Sequence, residues 1–154
     1  MNYQLLIVGI YTAFALLEIV AGRFLFREET TRKDLFLDIA CPLSLPLLVV
    51  PSVLWAGATL TELAVPGAAD AWVAWPAWLM FLVLVCTDDL SQYWWHRLSH
   101  AVPWLFALHR AHHSANYLSV RVTYRNNLIY YALMPGLWMS SVLIHLGFGP
   151  VYAV

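Results

Sequence analysis

The chain has 154 residues, of which 62% are hydrophobic and 11% charged, with a formal net charge of −1. Average soluble domains are about 25% charged, so this balance excludes an ordinary soluble domain and points to a single membrane domain, 1–154. It also excludes nucleic acid as a partner, because that partner needs a basic face.

Residues 3–22 are mostly apolar, and about twenty such positions suffice for a membrane helix at about 1.5 Å per residue. No charged segment precedes them, so a retained span is expected rather than a cleaved signal. Glu18, near the inner end, is expected to reach water at the interface. Residues 23–34, RFLFREETTRKD, form a hydrophilic connection. A second apolar run, Leu35 to Leu63, is interrupted by Pro42, Pro46 and Pro51, which predicts a bent helix or a re-entrant pair of short ones. Asp34 and Asp38 at its start read as surface charges at a helix N-terminus. Residues 64–76 form a loop with Trp72 and Trp75 at the interface. Ala77 to Ala101 is predicted as a third helix, apolar in its first half, and Pro103 breaks the chain after it. Leu128 to Leu146 is a fourth apolar stretch with a kink at Pro135-Gly136. The fold class expected is therefore all-α and integral to the membrane, with about four transmembrane helices. Cys41 and Cys86 lie in apolar segments and are expected to be free thiols.

The basic residues set an expected orientation. Arg23, Arg27, Arg32 and Lys33 lie in the first connection, and Arg97, Arg110, Arg121 and Arg125 in the later polar region. Residues 64–76 hold none. The positive-inside rule places both basic segments on the cytoplasmic face of a multi-pass protein. The four later arginines would dock an acidic partner or lipid headgroups, or serve topology alone.

Five of the six histidines fall between His96 and His113. His96 and His100 in H-R-L-S-H are one helical turn apart, and His109, His112 and His113 in H-R-A-H-H stand at i, i+3 and i+4. Such spacing aims each set of imidazoles from one helix face towards one point. Neutral imidazole is the commonest protein ligand for a transition metal, and five exceed the needs of one structural zinc. The reading is a metal centre with more than one ion. Asp89, Tyr93, His96 and His100 share an arc of roughly 60° on an ideal helix. Asp89 would then support the imidazoles as a hydrogen-bond acceptor or act as a ligand itself, with Tyr93 beside it.

The segment D-L-S-Q-Y-W-W-H-R-L-S-H…H-R-A-H-H-S resembles the fatty acid hydroxylase/sterol desaturase superfamily of integral-membrane di-iron oxygenases, from about Pro76 to Gly149. That family carries an HxxxH-like box, then HxxHH, then further histidines ending in another HxxHH. The resemblance implies that His96, His100, His109, His112 and His113 ligate a di-iron centre, with zinc as a substitute. It implies a hydroxylase or desaturase acting on a C–H bond of a lipid or sterol, using O₂ and electrons from a cytoplasmic donor protein. Membrane lipids would be its surroundings, in a bacterial inner membrane or the endoplasmic reticulum. Arg125 looks like the counterpart of an arginine that recurs after the double histidine. Tyr117, Asn126 and Asn127 are further polar groups near the site. The family's later boxes are not found before Val154, so the chain is expected to be the N-terminal part of such a domain. Its five imidazoles fall short of what two irons need, and turnover by this chain alone is not expected. Two rival readings are a bis-histidine haem protein that only carries electrons and an inactive remnant with a zinc-binding site.

Overall fold

A computed structural model of the chain describes residues 3–22 and 31–149, all-helical with no strand among them. Helix α1 is Tyr3–Val20. Helix α2 runs unbroken over Arg32–Ala64. Thr31 starts it with a capping box: its hydroxyl accepts from the Asp34 N–H at 3.2 Å while the Asp34 carboxylate accepts from the Thr31 N–H at 3.0 Å. Two orphan donors of the first turn are satisfied that way. The three prolines neither break α2 nor fold it back into a re-entrant pair. A wider helical turn over Leu45–Val49 includes Pro46, where looser winding accommodates the missing N–H and the ring.

Helix α3 is Ala77–Ala101, helix α4 is Pro103–His109, helix α5 is Leu128–Ala132 and helix α6 is Pro135–Leu143. Pro103 and Pro135 each open a helix at its first position, where an absent N–H costs nothing. Between α4 and α5 the chain makes two tight turns, His112–Ser114 and Val120–Tyr124. After α6 it continues through a wide turn, Ile144–Phe148.

Helix α6 packs against both α2 and α3. The approach to α2 is close enough that a Cβ on Gly57 would run into the Ser141 side chain, whose hydroxyl donates to the Leu54 carbonyl at 3.1 Å. Val49 and Val53 of α2, Trp95 of α3, Leu105 of α4, and Tyr130 and Tyr131 of α5 form one buried cluster. Each such side chain contributes roughly 1.5–3 kcal/mol by leaving water. This cluster lies directly behind the histidines. A second one, Met80, Leu143 and Phe148, is covered by Trp72 and Trp75, stacked at 4.7 Å.

Among the described residues, α2 is the one helix long and apolar enough to cross a membrane. Its side chains Leu47, Leu48, Trp55 and Leu63 are all exposed, as lipid-facing residues would be. The expected count of about four spans is neither met nor excluded by the described residues, and α1 is apolar over Gly9–Val20. Helix α3 turns polar at Asp88. The fourth stretch is two helices, because Pro135 restricts Met134 to an extended conformation (ψ 115°) and ends α5 before it. Arg23 and Arg27 lie outside the described residues. Cys41 and Cys86 are free thiols.

Candidate metal centre

Helix α3 delivers His96 and His100 from its C-terminal end, and the break at Pro103 lets α4 bring His109, and the next turn His113, against them. One ring nitrogen from each of His96, His100, His109 and His113 lies within 4.8 Å of all the others. The Nε2 atoms of His96 and His100 are 3.2 Å apart, and those of His109 and His113 are 3.1 Å apart. Two nitrogens bound tetrahedrally to one ion at about 2.0–2.1 Å stand roughly 3.3–3.4 Å from each other. Both pairs are thus near ligand spacing. His112 lies outside the four. Its ring stacks 5.5 Å from that of His109, and its Nδ1 is buried with no hydrogen-bond partner among the described residues.

Burial controls the charge of His109 and His113. His109 is 2% exposed. Burial first, and then the neighbouring histidines, push its pKa down to about 4, against an opposing contribution from its Asn126 hydrogen bond. Burial and the adjacent imidazoles lower His113 as well. A neutral ring keeps a lone pair for a metal at pH 7. Four imidazoles with no carboxylate in the group suit zinc or reduced iron, rather than magnesium or calcium. The donor set fits the metal expected. His96, His100 and His113 are exposed, so the centre opens on one side. Buried Tyr130 stacks on His109 at 4.8 Å, and the exposed Phe106 flanks His100 and His113 at 5.9 and 6.3 Å.

Asp89 is exposed, two turns before His96. The Tyr93 hydroxyl accepts from the Arg97 guanidinium at 2.6 Å. Neither residue belongs to the four-nitrogen group. The partner of His109 Nδ1 is instead Asn126 Oδ1 at 3.1 Å. Tyr130 and Phe106 were not anticipated as site residues, since aromatic side chains in an apolar sequence carry no distinguishing signal.

The loop over 114–127 is pinned to both N-terminal helices. Asp38 is 4% exposed, not a surface charge. Its carboxylate accepts from the Tyr117 hydroxyl at 2.6 Å and lies 3.6 and 3.5 Å from the guanidinium groups of Arg121 and Arg125. Arg125 also pairs with Asp34 at 2.6 Å. Glu18 accepts from the Ser119 hydroxyl and the Val120 N–H at 2.6 and 2.7 Å instead of turning out to water. Tyr11 donates to the Val120 carbonyl. Arg121 and Arg125 are therefore spent inside the protein, which leaves Arg97 and Arg110 as the exposed arginines of this region.

The fatty acid hydroxylase family model matches residues 81–154, the stretch that carries both boxes. Over 87 residues the chain is 32% identical to an alkylglycerol monooxygenase from Danio rerio, which covers 51% of this chain and 19% of that relative. Residues 81–154 are thus similar to the fatty acid hydroxylase family. Its matched segment spans about a fifth of the relative's length, and no solved structure matches. The match runs from within α3 through α6 and so takes in all four converging histidines.

Proposed function

We propose that this chain forms the histidine-box part of a membrane oxygenase that acts on a C–H bond of a lipid. The observation that carries the reading is the convergence of His96, His100, His109 and His113, from two separate boxes, on one small volume. When bound, reduced iron would supply O₂ activation. The balanced reaction takes one C–H bond, one O₂, two electrons and two protons to an alcohol and water, with the electrons supplied by a cytoplasmic donor protein. The chain's own residues keep His109 and His113 neutral by burial, back His109 with Tyr130, and leave His96, His100 and His113 open to the surface. His112, with its buried Nδ1 unspent, is the donor offered to a second iron, whose remaining ligands come from histidines supplied elsewhere. A lipid held in the bilayer beside α2 reaches the boxes at the cytoplasmic interface. The name of the Danio rerio relative makes alkylglycerols the first substrates to assay.

The haem alternative has less support. Two axial imidazoles must leave a flat slot for the macrocycle between them, and here four rings occupy that volume with nitrogens 3.1 and 3.2 Å apart in two pairs. The test is oxygen consumption and product analysis. The iron-loaded polypeptide in lipid, with a continuation carrying further histidine boxes and a reductant, should yield a hydroxylated lipid that is lost in His96→Ala. A product formed equally well by His96→Ala, or a Soret band in the purified chain, would overturn the reading.

A further inference from the structure

The five histidines identify a metal centre but leave open what fixes their ring nitrogens in the ligating form. An imidazole donates a lone pair from Nε2 only if its proton sits on Nδ1, and the partner of Nδ1 decides that. For His109 that partner is Asn126 Oδ1 at 3.1 Å, with both residues buried. With the amide oxygen facing Nδ1, the ring donates there and so carries its proton on that nitrogen, leaving the Nε2 lone pair for a metal.

We infer that Asn126 is a positioning residue that holds His109 as the Nδ1–H tautomer, and that Asp38 of α2 acts through it by clamping the loop on which Asn126 sits. The clamp is direct. Arg125, the neighbour of Asn126 in sequence, is buried between Asp34 and Asp38 at 2.6 and 3.5 Å. Tyr117 and Arg121 bind the same Asp38 carboxylate from further back in the loop. The long apolar helix therefore belongs to the metal site mechanically, although it supplies none of the four ligands. This inference rests on the proposed metal centre for its purpose, but the tautomer can be read without any metal.

The test uses the full chain with ¹⁵N-labelled histidine in detergent micelles. Ring-nitrogen shifts report the tautomer, and the His109 signals are those that vanish in His109→Gln. Wild type should show His109 protonated on Nδ1. Asn126→Leu should move it towards the Nε2–H form and weaken Zn²⁺ binding by about 10–100-fold. Asn126→Asp, which keeps the acceptor oxygen, should retain the Nδ1–H form and bind Zn²⁺ within a few-fold of wild type. Asp38→Asn should give a mixture of tautomers. If Asn126→Leu loses its helical circular dichroism, the wild-type tautomer and the Asn126→Asp rescue still decide. Wild-type His109 in the Nε2–H form, or an Asn126→Leu variant that folds with tautomer and affinity unchanged, would overturn the inference. A wild-type chain with the Nδ1–H tautomer but no Zn²⁺ binding would refute the metal reading and leave the role of Asn126 standing.

Discussion

Ligand number at the residue scale turns on His112. Its ring sits apart from the four converging nitrogens, so His112→Ala should leave the affinity for a first metal ion within a few-fold of wild type. His113→Ala, which removes one of the four, should weaken it by 10-fold or more. A titration that shows the two variants equally impaired would place His112 in the first ion's shell. Tyr117 offers a separate test through pH. Burial first, and then its hydrogen bond to Asp38, push the phenol up to about 12 from a usual value near 10. The unfolded chain releases this proton first, so the Tyr117 contribution to stability is complete below about pH 10 and lost as pH rises towards 12. Tyr117→Phe should be less stable at neutral pH, because it loses a buried hydrogen bond. It should also show a shallower alkaline decline, measured by denaturant unfolding at stepped pH. An unchanged slope would mean that Tyr117 is not the group responsible.

At the scale of elements, the histidine boxes were legible because i, i+3 and i+4 spacing is a local property of a helix. The four-ligand set was not, since the turn at Pro103 decides which imidazoles meet. The Asp38 clamp was half legible: two acids four residues apart in α2 match two arginines four residues apart in the loop. Read without the loop's position, however, Asp34 and Asp38 look like ordinary charges at a helix start. The prolines of α2 misled in the other direction, because a wide turn absorbs the disruption that an ideal helix could not. The contact between α2 and α6 gives a prediction that sequence alone did not offer. Gly57→Ala forces a methyl group into the Ser141 side chain, and overpacking of this kind costs about 1–3 kcal/mol. A lowered thermal midpoint in detergent is expected, with Ser141→Gly restoring part of the loss. A midpoint equal to wild type would show that the two helices have room to separate.

For the whole molecule, the two ends of α2 differ in what they hold. Asp34 and Asp38 meet the loop beside the boxes, while Glu62 pairs with His145 at 2.9 Å near the loop that contains Trp72. Asp38 and Glu62 are about 36 Å apart along the helix, enough to place them at opposite faces of a bilayer. In a background lacking Cys41 and Cys86, Ala69→Cys and Ser114→Cys should therefore react with an impermeant thiol reagent from opposite sides of sealed vesicles. Labelling of both from one side would contradict a membrane-crossing α2. His145, the sixth histidine, pairs with Glu62 and therefore lies at the end of α2 away from the boxes. The central claim is that two histidine boxes build one metal site from four imidazoles. It is tested most directly by Co²⁺ titration of the purified chain, followed through the visible bands of a tetrahedral nitrogen site. Wild type should saturate these bands at one equivalent, and His96→Ala and His109→Ala, one from each box, should each abolish the tetrahedral spectrum. Wild-type bands and stoichiometry in both variants would show that the ion, if bound at all, is held elsewhere.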